Sequence, residues 1–148
     1  MAVDVKSLRI DSHILVNGKR ERVRGLDEDN GLIVRFPAEY VNANEVEPIP
    51  ITAELLKELG FEERRMEYRY GKPDVWYIDR EAAQLEKEHD LVVSKTTFFP
   101  LENIGYADWW VIKVITGDKP MRSGNCTVRY LHEAEAFLAL HGVELIKE

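Results

Sequence analysis

The chain has 148 residues, of which 45% are hydrophobic and 32% charged, and its formal net charge is −7. This balance is typical of one globular domain, with or without a small appended module, and the negative charge argues against general nucleic-acid binding because phosphate backbones attract basic surfaces. The single cysteine, Cys126, excludes an intramolecular disulfide. No segment approaches the roughly 20 apolar residues that span a bilayer, so we expect a cytoplasmic protein without a membrane segment.

Residues 8–47 are predicted to form short strands joined by turns. The stretch HILVNGKRERVRGL holds the pair Asn17-Gly18 between an apolar run and an alternating run. Asn-Gly is the strongest short hairpin signal, because both residues tolerate positive φ. Several short strands in so short a segment indicate a small antiparallel sheet. We therefore expect residues 1–50 to form a small β module, either an SH3-like barrel or a hairpin sheet.

Two helices are marked at both ends. Thr52 suits the N-cap of a helix that stops before Gly60, and Gly142 suits the left-handed residue after a second helix over about residues 131–140. Both helices are expected to pack on a sheet. The side chains that this packing should bury are Leu56, Phe61, Phe137 and Leu138.

The segments between these helices favour strands. MEYRYGKPDVWYID, DLVVSKTTFF and WWVIKVIT are rich in aromatic and β-branched residues, whereas residues 79–90 contain good helix formers with a thin apolar face. The pattern predicts an α+β fold, mostly antiparallel, with one short central helix, an exposed helix over residues 79–90 and a C-terminal helix. We expect residues 51–148 to form an α+β module that packs with residues 1–50 as one compact unit.

The pair Trp109-Trp110 raises the question of a binding surface. On a strand, Trp109 shares its face with Lys113, and Trp110 shares the other face with apolar residues. We predict that Trp110 lies in the core and that Trp109 is the more exposed indole, although a central strand covered on both faces would bury both. The loop TGDKPMRSGN follows, and its cations Lys119 and Arg122 can bind an anion or belong to an ordinary hairpin loop.

No catalytic residue, metal site or cofactor site is predicted. The four histidines lack the spacing of a zinc motif, and no phosphate-binding glycine loop or Gly-x-Ser-x-Gly stretch occurs. Cys126 and His132 are six positions apart, but nothing nearby supplies an orienting group or an oxyanion site. The residues predicted for a ligand or partner surface are Trp109, Lys113, Lys119 and Arg122.

Three segments carry a resemblance to a protein family. VEPIPITAELLKELGF resembles the "EPIPLT-helix-Gly-Phe" block of an uncharacterised family found in Bacteroidota genomes and their phages or prophages. VRYLHEAEAFLALHGVEL is similar to that family's closing helix, VHxLQNLYFALTGEEL, and LRIDSHILVNGKRERVRGL resembles its first hairpin. The resemblance covers about half of the chain, and the middle does not match. It implies a phage or prophage protein inside a bacterial host and assigns no activity or catalytic residues.

These observations predict a non-enzymatic intracellular binding protein of phage or prophage origin, with counter-defence as one role that such a protein can have. The expected partner is a host or phage protein, and a nucleotide-like ligand is the second choice. Two other functions stay open, namely a small enzyme acting on nucleotides or nucleic acid and a virion or assembly protein.

Overall fold

The computed structural model describes residues 9–27, 31–35, 39–41, 46–67, 73–89, 95–115 and 123–146. The chain divides into two compact units. The first unit comprises Met1–Pro50 and Tyr130–Leu145, and the second comprises Ile51–Arg129 and Ile146–Glu148. The last helix is therefore grouped with the first fifty residues.

The first unit begins with a β-hairpin. Strands β1 (His13–Val16) and β2 (Lys19–Arg22) pair antiparallel, and β6 (Val46–Glu47) pairs antiparallel with the other edge of β1. Asn17 and Gly18 form the turn with φ of 52° and 77°, both in the left-handed region that a two-residue hairpin of type I′ requires. The predicted hairpin and its tip are confirmed.

A second antiparallel sheet follows the hairpin in the chain. Its strands are β3 (Gly25–Asp27), β4 (Gly31–Arg35) and β5 (Glu39–Val41), in the order β3-β4-β5. The described residues of this region thus form two three-stranded sheets, and neither closes into a barrel. Of the two forms expected for residues 1–50, the described strands show hairpin sheets, and these strands do not close into a barrel.

Helix α3 (Leu131–Ala139) completes the first unit. Gly142 has φ of 73°, and the Val143 N–H donates to the Leu138 carbonyl at 2.9 Å, so a left-handed glycine follows the helix, as predicted. Leu138 is buried, but Phe137 is only half-buried, and the expectation that Phe137 lies in the core is wrong. The buried apolar stripe is Leu131, Ala134 and Leu138, and Phe137 lies about 100° around the helix from Leu138.

The second unit opens with the short helix α1 (Ala53–Glu58). The Leu55 N–H donates to Thr52 Oγ1 at 3.1 Å, and Gly60 has φ of 98°, so both predicted ends are confirmed. Leu56 and Phe61 are buried, as expected. The chain then enters the first strand of a larger sheet.

That sheet has five antiparallel strands, namely β7 (Phe61–Glu67), β8 (Pro73–Asp79), β9 (Lys95–Pro100), β10 (Trp110–Ile115) and β11 (Ser123–Val128). Their order in the sheet is β11-β10-β9-β8-β7. Strands β7 and β8 pair along their length, and β9 lies at the centre. Helix α2 (Arg80–His89) lies between β8 and β9 in the chain, and Asp79 accepts the Glu81 N–H at 3.0 Å as its cap.

The core of the second unit forms around strands β9 and β10. Phe98 and Ile112 are fully buried, and the ring of Phe61 meets that of Phe98 edge-on with centroids 5.1 Å apart. The predicted α+β, mostly antiparallel fold is confirmed. Among the described residues no helix is long and apolar enough to cross a membrane.

Candidate functional site

The adjacent indoles of Trp109 and Trp110 lie in different environments. Along β10, Trp110, Ile112 and Val114 are buried, whereas Lys113 is exposed. Trp110 is 7% exposed, and Trp109, which immediately precedes the strand, is 39% exposed. The prediction that Trp110 lies in the core and Trp109 is the more exposed indole is confirmed. β10 is not the central strand, because β9 occupies that place.

Trp109 ends a loop that joins β9 to β10, which we call the 101–109 loop. The Leu101 N–H donates to the Trp109 carbonyl at 2.9 Å, so the two ends of the loop are tied together. The Leu101 carbonyl in turn accepts the N–H groups of Ile104 and Tyr106 at 3.1 and 3.0 Å. A short 3-10 helix (Glu102–Ile104) lies inside the loop. The backbone is therefore held by its own hydrogen bonds.

Two residues in the left-handed region shape this loop. Gly105 has φ of 95°, and Asp108 has φ of 70°. Asp is one of the few non-glycine residues that visit this region readily. The turn at Asp108 directly precedes Trp109 and the start of the strand.

The 101–109 loop concentrates exposed apolar side chains. Seven large hydrophobic side chains of the described residues are exposed, and three of them belong to this loop: Ile104 at 69%, Tyr106 at 60% and Trp109 at 39%. Single exposed hydrophobic residues are ordinary on protein surfaces. Three exposed hydrophobic residues on one short loop are unusual and are typical of an interaction site.

A cleft of about 500 Å³ lies beside the loop, entirely within the second unit. This volume is within the range of small-ligand pockets. Its walls include side chains from α1, from strands β7 to β9 and from both tryptophans. The lining residues are Ile51, Thr52, Ala53, Glu63, Val75, Tyr77, Pro100, Glu102, Asp108, Trp109 and Trp110.

Buried polar contacts fix two walls of the cleft. The Trp110 Nε1–H donates to the carbonyl of Ile51 at 2.9 Å, and the Trp110 ring lies 5.7 Å from the ring of Tyr77. The Tyr77 hydroxyl donates to Glu63 Oε1 at 3.1 Å. A buried indole and a buried phenol each require a partner for their polar atom, and here these partners orient the two rings.

The rim of the cleft is acidic. Glu63, Glu102 and Asp108 carry carboxylates, and the described lining residues include no lysine, arginine or histidine. Burial, and then the hydrogen bond from the phenol to Glu63, raise the pKa of the Tyr77 phenol above its ordinary value. The negative charges of Glu63 and Glu54 act in the same direction.

Two arginines of the chain already lie against this rim. The Arg129 Cζ is 6.0 Å from the centroid of the Trp109 ring, and its Nη2 is 3.9 Å from Asp108 Oδ2. Arg65 similarly reaches Glu63 at 3.8 Å. Both ion pairs are long and substantially exposed to solvent, so each adds little stability.

The residues predicted for a ligand or partner surface do not all lie at the cleft. Trp109 lines the cleft, whereas Lys113 is exposed on β10 and is not among the lining residues. Lys119 and Arg122 lie outside the described residues, so the anion-binding loop stays a prediction. The sequence analysis missed the remaining features of the site, namely the exposed Ile104 and Tyr106 and the acidic rim. Gly105 was the one local signal of a turn in NIGYAD.

The described part of the chain contains no group of three histidine, cysteine or acidic residues that could hold a metal ion. The Cys126 Sγ lies 3.7 Å from the carbonyl of Thr127, which is an ordinary strand contact.

Comparison with known proteins adds no assignment: no protein-family model, no curated protein and no solved structure matches this chain.

Proposed function

We propose that this chain is a non-enzymatic protein-binding module and that the 101–109 loop is its contact surface. The single observation that carries the proposal is the exposure of Ile104, Tyr106 and Trp109 on a loop whose ends are joined by the Leu101–Trp109 hydrogen bond. Large aromatic side chains dominate the energetics of protein interfaces.

The fixed backbone of the loop supports a binding role on energetic grounds. Ordering a flexible loop on association costs free energy that is subtracted from the affinity. The hydrogen bonds of the Leu101 carbonyl with Ile104 and Tyr106 order this loop before any partner arrives. Tyr106 and Trp109 each add a large contact area for few rotatable bonds.

The charge beside the loop favours a protein over a membrane or a nucleotide-like ligand. Glu102 and Asp108 flank the exposed apolar side chains, and the whole chain carries a net charge of −7. Carboxylates repel the phosphates of anionic lipids, nucleotides and nucleic acids. A protein surface has no such fixed sign of charge and can complement the rim.

The phage or prophage origin and the role inside a bacterial host, including counter-defence, rest on the family resemblance alone. Inspection of the genes beside the coding gene tests that origin, and phage structural or integrase genes are the expected neighbours. The alternatives of a small enzyme acting on nucleotides or nucleic acid and of a virion or assembly protein have no specific observation in their favour.

Selection of short random peptides displayed on particles tests the proposed surface. The immobilised full chain is compared with the variant Ile104→Ser/Tyr106→Ser and with the control Met66→Ser. Met66 is 51% exposed on β7 of the same unit and does not belong to the loop. Denaturant melts establish that all three chains are folded.

We expect the peptides retained by the wild type to bind the loop variant at least about tenfold more weakly, the equivalent of about 1.4 kcal/mol of binding free energy. The Met66→Ser control should match the wild type. Equal retention by the wild type and the loop variant would contradict a contact surface on this loop.

A further inference from the structure

The charged side chains that line the cleft beside the 101–109 loop are all acidic, although Arg129 lies 3.9 Å from Asp108 and Arg65 lies 3.8 Å from Glu63. Glu63, Glu102 and Asp108 contribute carboxylates, and the described residues that line it contribute no basic side chain. Burial is the largest cause of the raised Tyr77 pKa, the charges of Glu63 and Glu54 add to it, and the charge of Arg65 opposes it. A bound group of negative charge would be repelled here, and a cation would be attracted.

The walls of the same cleft are aromatic and apolar. Tyr77, Trp109 and Trp110 line it together with Ile51 and other apolar residues. Aromatic faces carry a negative quadrupole that attracts cations, and tryptophan does so most strongly. The volume of about 500 Å³ suits one or two side chains of a partner and not a folded element.

The chain itself provides an internal example of the chemistry. The guanidinium of Arg129 lies over the Trp109 ring at 6.0 Å and approaches Asp108 at 3.9 Å. An indole and a carboxylate at this rim therefore already contact a guanidinium, through a long and solvent-exposed pair. Arg129 itself is not among the residues that line the cleft, whereas its two partners, Trp109 and Asp108, are.

We infer that the cleft binds an arginine side chain of the protein segment that docks on the 101–109 loop. The inference rests on the proposed function and adds the chemistry of the partner: apolar contact with Ile104 and Tyr106, and a guanidinium between the acidic rim and the aromatic walls. Arginine is favoured over lysine because its planar guanidinium stacks on aromatic rings, is weakly hydrated and forms paired hydrogen bonds with carboxylates.

The composition of the retained peptide pool provides the first test. We expect arginine to be enriched at one position of the pool and acidic residues to be depleted around it. One retained peptide is then synthesised with that arginine or with citrulline, its neutral isostere. Citrulline should weaken the affinity for the wild-type chain by about tenfold or more.

A second test uses variants with matched charge. Glu63→Gln/Glu102→Gln/Asp108→Asn neutralises the rim. The new glutamine amide at position 63 keeps an acceptor for Tyr77, and asparagine tolerates the left-handed φ at position 108. The control neutralises three carboxylates of the second unit that do not line the cleft, by the substitutions Glu58→Gln, Glu62→Gln and Glu81→Gln. Denaturant melts establish that both variants are folded.

The rim variant should bind the arginine and citrulline peptides equally, and the control should keep the wild-type preference. Three results would overturn the inference while still supporting the loop as a contact surface. Peptides retained through the loop could lack arginine enrichment, could be richer in lysine than in arginine, or could bind equally well with citrulline. Loss of the preference in both variants would also overturn it, because the effect would then come from net charge. Absence of loop-dependent retention would overturn the proposed function and the inference with it.

Discussion

The Nε1–H of Trp110 donates a buried hydrogen bond of 2.9 Å to the carbonyl of Ile51, which lies 59 positions earlier in the chain. This bond joins the start of β10 to the residue that precedes the Thr52 cap of α1. Ile51 itself is buried, and its N–H donates to the Arg129 carbonyl at 3.1 Å. Trp110 is thus a structural residue of the cleft, whereas its neighbour Trp109 is a surface residue.

The two tryptophans should therefore differ in their effect on stability. We expect Trp110→Ala to lower the free energy of unfolding by about 3–5 kcal/mol, because it leaves a cavity and an unpaired Ile51 carbonyl. Trp109→Ala should cost less than about 1 kcal/mol, as is usual for an exposed residue. Urea melts of both variants measure the difference. Equal losses would show that both indoles contribute equally to the core.

The phenol of Tyr77 should titrate above the ordinary tyrosine range. Absorbance at about 295 nm follows tyrosinate formation, and the difference between the wild type and Tyr77→Phe isolates this residue from the other five tyrosines. Since the folded pKa is raised, the contribution of Tyr77 to stability is present below the ordinary pKa of about 10 and is lost as the pH rises through the folded pKa.

The variant Glu63→Gln tests the causes of that shift. It removes the negative charge while leaving an acceptor, so the Tyr77 transition should move down towards its ordinary value without reaching it, because burial is the larger cause. A Tyr77 transition at the ordinary value in the wild type would contradict the buried, acidic environment of the cleft.

His132 should make the stability of the first unit sensitive to pH. This residue is buried in α3, and burial lowers its pKa, although Glu133 and Glu135 oppose the change. Its stabilising contribution is therefore complete above the unfolded pKa of about 6.5 and is lost as the pH falls through the folded pKa. The wild type should lose more stability between pH 7.5 and 5.5 than His132→Phe does.

The slopes of the free energy of unfolding against pH can differ between the wild type and His132→Phe by at most about 1.4 kcal/mol per pH unit, the value for one proton. Urea melts at several pH values measure it, and only the pH dependence is compared because the substitution also changes packing. Parallel curves of the free energy of unfolding against pH would mean that His132 has the same affinity for a proton in the folded and the unfolded protein.

His13 on β1 is a second buried histidine, and it contacts Glu135 on α3. Glu135 Oε1 accepts the backbone N–H of His13 at 2.8 Å, and Glu135 Oε2 lies 2.7 Å from His13 Nδ1. Both contacts are within the first unit. Glu135→Ala should cost about 1.5–3 kcal/mol, the range for hydrogen bonds to a charged group.

A double-mutant cycle of Glu135→Ala with His13→Ala separates this contact from the individual effects of the two truncations. The single changes should be non-additive by about 0.5–3 kcal/mol, since the two residues share the contact. Additive losses would show that the contact between His13 Nδ1 and Glu135 Oε2 contributes no interaction energy, since His13→Ala leaves the backbone N–H bond to Glu135 in place.

Local chemistry made much of this fold predictable. Asn17-Gly18, the Thr52 cap and Gly142 act through their own backbone preferences, so their turns and helix ends follow from a few neighbouring residues. The burial of Trp110 followed from strand alternation. Phe137 was misplaced because both sides of α3 carry apolar residues, and only the packing of Leu131, Ala134 and Leu138 selects the buried stripe.

The site was less predictable because distant residues build it. Ile51, Tyr77 and Trp110 meet only when α1 and the five-stranded sheet are assembled. The fixed form of the 101–109 loop depends on a bond between Leu101 and Trp109 and on positive φ at Asp108. Aspartate adopts positive φ in only a minority of cases, so Asp108 is not enough to predict this turn from the sequence.

The most direct test of the account is an NMR footprint of one retained peptide on the ¹⁵N-labelled full chain. The indole N–H signals are assigned with Trp109→Phe and Trp110→Phe. We expect the signals of the Trp109 indole and of the backbone amides of residues 101–109 to shift most, and the amide signals of the first unit to stay in place. Shifts concentrated on the first unit, or on the exposed end of β11 at Ser123–Asn125 with the loop unchanged, would contradict the claim that the 101–109 loop and its cleft form the binding surface.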